Sequence, residues 1–144
     1  MPNKKTVLVV EDSPIQAIAL AQFLSKQGLR VLKAPNGRVG VEMARQQTPD
    51  AIVLDIEMPE MDGFEACRHL KADPETAGTP VVMLTAHDQP ASVLRGMDLG
   101  AVDFIPKDAF SELVLLETLR QLHILEEGAS PDEIRAGLAD PMEN

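Results

Sequence analysis

Val7-Leu8-Val9-Val10-Glu11-Asp12-Ser13-Pro14 places four apolar residues in a row ahead of two carboxylates, a serine and a proline. Four consecutive apolar residues, without polar alternation, suit a parallel strand covered on both faces. Ser13-Pro14 is a helix start, a capping hydroxyl followed by a first-turn proline. Ala17, Leu20, Ala21 and Leu24 then recur at helical spacing, widened by Ile15 and Phe23, until Gly28 stops them. The stretch therefore reads as strand, acidic turn, helix.

The same alternation recurs along the chain. Apolar runs at Thr6–Val10, Arg30–Ala34, Ala51–Leu54, Pro80–Leu84 and Val102–Ile105 predict five strands. Helical patterns fill the gaps from Gly37 to Gln47, from the Asp62 cap to near Asp73-Pro74, from Pro90 to Gly100, and from Phe110 to Leu125. Such a repeat implies an α/β fold with a parallel sheet and right-handed crossovers. Five strands and five helices fit the flavodoxin-like doubly wound order 2-1-3-4-5, whose ligands bind beyond the carboxyl ends of the strands.

The chain has 144 residues and a formal net charge of −10, enough for one domain with its own core. The single Cys67 excludes an internal disulfide and suits a reducing compartment, so the cytoplasm is expected. No apolar run approaches a membrane span or a signal peptide, and the acidic balance argues against a nucleic-acid surface. Residues 126–144 hold six acids and one base, half of the net charge. They read as an acidic tail after a domain spanning 1–125, with one short helix plausible from Ser130 to Leu138.

The residues just past the strands carry the chemistry. Glu11 and Asp12 follow the first, Asp55 ends the third, Thr85 follows the fourth and Lys107 the fifth. In a parallel sheet these side chains converge at one mouth. Three neighbouring carboxylates raise one another's pKa unless a cation offsets them. Oxygen ligands without His or Cys suit Mg²⁺ rather than Zn²⁺. Asp55, central and at the end of a buried strand, is the best placed nucleophile for a phosphoryl group. Lys107 and Thr85 would supply a positive charge and a hydroxyl to the phosphoryl oxygens. Glu11 and Asp12 are better placed as metal ligands.

These residues sit in motifs. Val7–Ser13, Asp55-Ile56-Glu57-Met58-Pro59-Glu60-Met61-Asp62-Gly63, Thr85-Ala86, Gly100-Ala101-x-Asp103-Phe104 and Lys107 stand in register. From Lys5 to about Leu125 the sequence resembles a response-regulator receiver domain of two-component signalling, of the stand-alone type. The resemblance implies that Asp55 accepts a phosphoryl group from a sensor histidine kinase or phosphotransfer protein. It implies Mg²⁺ held by Glu11, Asp12, Asp55 and the Glu57 backbone carbonyl. It also implies a switch in which Thr85 moves toward the phosphoryl group and Phe104 turns inward. Output to a downstream protein would then use the face of the fourth helix, fifth strand and fifth helix. Glu57 and His87, two residues past Asp55 and Thr85, border the path of hydrolytic water in such domains and are expected to tune the phosphoryl lifetime.

Receivers usually carry Lys-Pro after the fifth strand with a cis peptide; here the order is Pro106-Lys107-Asp108. A trans Lys107–Asp108 bond and a differently shaped loop are expected. His69 and His123 are expected to be solvated, and Cys67 a buried apolar residue. From Glu112 to Leu125 eight of fourteen residues are apolar, more of a helical wheel than one sheet face covers. Either the acidic tail folds back over this helix or the helix offers a partner or homodimer surface. Two rival functions remain at this point: an Asp-nucleophile phosphohydrolase, and a degenerate receiver that binds independently of phosphate.

Overall fold

The structure, a computed structural model, describes residues 4–86, 94–95 and 97–125. Five parallel strands form one sheet: β1 (Thr6–Val10), β2 (Arg30–Ala34), β3 (Ala51–Asp55), β4 (Val81–Thr85) and β5 (Asp103–Pro106). Their order is β2-β1-β3-β4-β5, as the strand–helix alternation predicts. The helices with described bounds are α1 (Pro14–Lys26), α2 (Gly37–Gln47), α3 (Gly63–Ala72) and α4 (Ser111–Gln121). The flavodoxin-like α/β fold is therefore present.

Strand side chains divide by parity into two cores. Leu8, Val10, Ile52, Leu54, Val81, Met83 and Phe104 face a layer with Phe64, Cys67 and Leu70 of α3. Val7, Val9, Val53, Val82, Leu84 and Ile105 face Leu24 of α1 and Leu115 and Leu119 of α4. Burying each such Leu or Ile contributes about 1.5–3 kcal/mol, so the two layers rather than any polar contact hold the sheet. This is why β1, β3 and β4 read as unbroken apolar runs.

Side-chain caps set the helix starts. Ser13 Oγ accepts from the Gln16 amide at 3.3 Å, Asn36 Oδ1 from Val39 at 2.8 Å and Asp62 Oδ1 from Glu65 at 2.9 Å. Each such cap is worth about 1 kcal/mol. Ahead of β5, Leu94, Arg95, Met97 and Asp98 are helical, and Gly100 takes φ +96° at the stop predicted for the fourth helix. Its predicted start at Pro90 lies outside the described residues, as do the tail and its short helix. His69 and His123 are exposed, and Cys67 is fully buried with its thiol 3.6 Å from the Leu99 carbonyl.

The last helix corrects the sequence reading. It ends at Gln121, not Leu125, because His123 adopts φ 61°. The Ile124 amide donates to the Leu119 carbonyl at 2.9 Å and the His123 amide to Arg120 at 3.0 Å, a Schellman closure. Leu122, Ile124 and Leu125 leave the helical wheel and pack, partly buried, on the second core. The apparent excess of apolar surface thus shrinks to Leu113 and Val114, with Phe110 just before the helix.

Candidate functional site

Parallel pairing puts the ends of β1, β3, β4 and β5 at one edge. Val10 pairs with Leu54, Asp55 with Leu84 and Thr85 with Pro106. The backbone past β3 is locked from below by Gly63. A Cβ there would come within 2.5 Å of the Asp55 carbonyl and 2.7 Å of Ile56 Cα. The Gly63 amide donates to the Ile56 carbonyl at 3.0 Å. The Asp62-Gly63 pair thereby caps α3 and fixes the residue after Asp55, which is the local reason for the motif.

Asp55 is 3 % exposed and Glu11 5 %, whereas Asp12 is exposed. One carboxylate oxygen from each of the three lies within 4.8 Å of the others. Lys107 reaches in from β5, with Nζ 3.0 Å from Glu11 Oε1 and 3.1 Å from Asp55 Oδ1. The second contact is an ion pair without hydrogen-bond alignment, so this buried oxygen accepts no hydrogen bond among the described residues. Glu11 Oε2 accepts from the Ser13 amide at 3.1 Å. Burial, and then the Glu11 carboxylate, push the Asp55 carboxyl up to about 7 against the pull of Lys107. Burial also works to raise Glu11, but its hydrogen bonds, that from Lys107 foremost, outweigh this and hold it below its usual value. Burial would lower Lys107, yet its two carboxylate partners raise it, and it stays charged.

An oxygen-only donor set around a buried carboxylate oxygen that lacks a hydrogen-bond donor fits a hard divalent cation. The residues expected at the strand ends are thus assembled: Glu11, Asp12, Asp55 and Lys107. Thr85 is 1 % exposed at the end of β4, next to the Asp55 strand. Its hydroxyl donates to Glu57 Oε2 at 2.7 Å, and the Ala86 amide donates to Glu57 Oε1 at 2.9 Å. Phe104, at 9 %, is already turned into the first core. His87 lies outside the described residues.

The sequence reading passed over Gln16 and gave no role to the Asp108 side chain. Gln16, on the first turn of α1, accepts from Lys107 Nζ at 2.8 Å through its side-chain carbonyl. One turn past Ser13 it faces the same mouth, a placement the helix start alone would have signalled. Asp108 occupies the position where a proline would follow the lysine. Its Oδ1 accepts from the Phe110 amide at 2.8 Å and its carbonyl from Ser111 Oγ at 3.0 Å, turning the chain into α4. No peptide among the described residues is cis, so the Lys107–Asp108 bond is trans as expected.

The response regulator receiver domain family model matches residues 7–120. The chain is a response-regulator receiver. PilH of Pseudomonas aeruginosa is 42% identical over 109 residues, covering 76% of this chain and 90% of PilH. The transcriptional regulatory protein AfsQ1 of Streptomyces coelicolor is 38% identical over 102 residues, covering 71% of this chain but 44% of AfsQ1. Among solved structures, the chemotaxis protein CheY4 of Vibrio cholerae has a TM-score of 0.77 at 30% identity, covering 83% of this chain and 99% of that one. The receiver domain of the sensor histidine kinase PA1611 of Pseudomonas aeruginosa, with a magnesium ion coordinated in its active-site cleft, has a TM-score of 0.76 at 28% identity. Its match covers 83% of this chain and 98% of that domain.

Receivers act as signalling switches in two-component systems and interact with histidine kinases or phosphotransfer proteins; they are not enzymes that turn over a separate substrate. Membership of this family leaves the phosphohydrolase reading without support. Receiver domains bind Mg²⁺ in an acidic site, and Glu11, Asp12 and Asp55 form an acidic cluster here. Among the described residues no helix is long and apolar enough to cross a membrane.

Proposed function

We propose that this receiver is switched by a phosphoryl group on Asp55, taken from the phosphohistidine of a sensor kinase or phosphotransfer protein. The observation that carries the reading is one buried carboxylate at the end of the central sheet, with Lys107 at 3.1 Å and two further carboxylates beside it. An Asp55 oxygen attacks phosphorus, an O–P bond forms, and the N–P bond of the donor breaks. The imidazole nitrogen leaves with the electron pair and takes up a proton. Glu11, Asp12, Asp55 and the Glu57 backbone carbonyl would hold Mg²⁺, which when bound would supply positive charge to offset the phosphoryl oxygens and the Asp55 carboxylate. Lys107 orients a phosphoryl oxygen as a second point charge, and Thr85 contributes a hydroxyl.

Output is a protein–protein contact on the side of the edge strand β5. Leu94, Met97, Val102, Phe110, Leu113 and Val114, all in the segments around that strand, are exposed. The same side offers the surface for a homodimer through α4, which light scattering of the full chain, with and without phosphorylation, would detect. Thr85 and Phe104 connect the pocket to β5, with Phe104 already packed inward before phosphorylation. Signalling then rests on Thr85 and the neighbouring backbone more than on a swing of the aromatic ring.

Incubation with acetyl phosphate, with and without Mg²⁺, followed by intact mass measurement tests the reading. One added phosphoryl mass is expected, dependent on Mg²⁺ and lost in Asp55→Ala. No label under any condition would leave the phosphate-independent binding module as the function. The chain has no Trp or Tyr, so mass rather than intrinsic fluorescence is the practical readout.

A further inference from the structure

A single carboxylate occupies both donors at the end of β4. Glu57 Oε2 takes the Thr85 hydroxyl at 2.7 Å, and Glu57 Oε1 takes the Ala86 amide at 2.9 Å. A hydroxyl and the next backbone amide, aligned on the two oxygens of one anion, form a small oxyanion receptor. A phosphoryl group on Asp55 offers the same pattern, a negative group with more than one oxygen, from the adjacent strand. Two anions cannot share one donor pair. The Glu57 backbone leaves β3 two residues after Asp55, so its side chain reaches the receptor from the same loop that carries the nucleophile.

We propose that Glu57 is an internal latch, holding the Thr85 hydroxyl and the Ala86 amide in the unphosphorylated protein and competing with the phosphoryl group for them. This rests on the receiver reading and deepens it: Glu57 tunes not hydrolysis alone but the threshold for occupying the switch. Its carboxylate is a positioning group, acting through Thr85. Phosphorylation displaces it, and the freed carboxylate swings into solvent, where Glu57 is already exposed. The unphosphorylated state is thereby held by bonds that the phosphorylated state must exchange.

Removing a negative charge near a phosphoryl site strengthens anion binding even without a latch, so the test separates charge from geometry. The probe is beryllium fluoride with Mg²⁺, titrated by fluorine NMR into the full chain. Glu57→Asp keeps the charge but is too short to bridge both donors. The latch predicts that Glu57→Asp and Glu57→Ala both bind the probe about threefold to tenfold more tightly than the unsubstituted protein. In a Thr85→Ala background, where only the Ala86 amide is left to contest, that gain should shrink. In the absence of any ligand, the Ala86 amide should exchange with deuterium faster in Glu57→Ala. Glu57→Asp behaving like the unsubstituted protein, or a gain that persists undiminished without the Thr85 hydroxyl, overturns the latch and leaves simple repulsion. Failure of the probe to bind any variant overturns the phosphoryl-switch reading of Asp55 instead.

Discussion

The Gln16 side-chain carbonyl accepts a 2.8 Å hydrogen bond from the Lys107 ammonium, tying the first turn of α1 to the end of β5. Glu11 and Asp55 attract the same nitrogen by charge, while Gln16 restrains it without adding charge. Lys107 is thus held by three elements, in a loop where no proline follows it. An exposed bond to a charged group is worth about 1 kcal/mol. Gln16→Ala should therefore slow acetyl-phosphate labelling of Asp55 by about twofold to fivefold, against a much larger loss in Lys107→Ala. Equal labelling rates for Gln16→Ala and the unsubstituted protein would show that the carboxylates hold Lys107 unaided.

Asp55 is a buried acid whose folded pKa is raised from 3.8 to about 7, chiefly by burial. Such a group is most stable protonated, so its ionisation removes stability as pH climbs from its unfolded value toward the folded one. Asparagine has no charge to bury. In Mg²⁺-free buffer at pH 8, Asp55→Asn should be more stable than the unsubstituted protein by about 1–3 kcal/mol. The gap should close by pH 4 and narrow when Mg²⁺ is added at pH 8. Thermal unfolding followed by circular dichroism measures both; a gap that widens on acidification contradicts the assignment.

We propose from their positions two residues past Asp55 and Thr85 that Glu57 and His87 tune the lifetime of the acyl phosphate. Each isolated phosphoprotein, Glu57→Ala and His87→Ala, should lose its phosphoryl mass at a rate changed severalfold from the unsubstituted chain. Chasing the mass over time after removing acetyl phosphate gives those rates. Unchanged rates in both would confine Glu57 to holding Thr85 and leave His87 without a role.

His123 closes α4 at φ 61°, a conformation that costs an ordinary residue about 1 kcal/mol and glycine almost nothing. His123→Gly should raise the melting temperature by about 4 °C for a domain of this size. A lowered melting point would mean that the helix runs on toward Leu125, restoring the wide apolar face.

The fold was legible because Val7–Val10, Ala51–Leu54 and Val81–Leu84 are buried on both sides, which leaves no alternation to misread. The strand-end geometry was legible for the same reason: once the strands are placed, Glu11, Asp55 and Lys107 come to one edge. Helix ends were harder. Nothing in Leu122-His123-Ile124 announces a left-handed turn at histidine, because the tertiary packing of Ile124 on the second core outweighs the local preference for helix. The partners of Glu57 were also hidden. A carboxylate two residues past a nucleophile points to solvent or to Thr85 according to a side-chain rotamer, and no periodicity records that.

The Lys107 amide donates to the Thr85 carbonyl at 2.6 Å, the last rung of the β4–β5 ladder. A bond this short does not survive an ångström of sliding by one strand alone. The cation that faces the nucleophile and the hydroxyl beside it therefore share one backbone hinge. A pull on Thr85 from the pocket is also a pull on the edge strand, and from there on the Asp108 turn into α4. The sheet backbone thereby offers a path from pocket to rim alongside the Thr85 and Phe104 side chains.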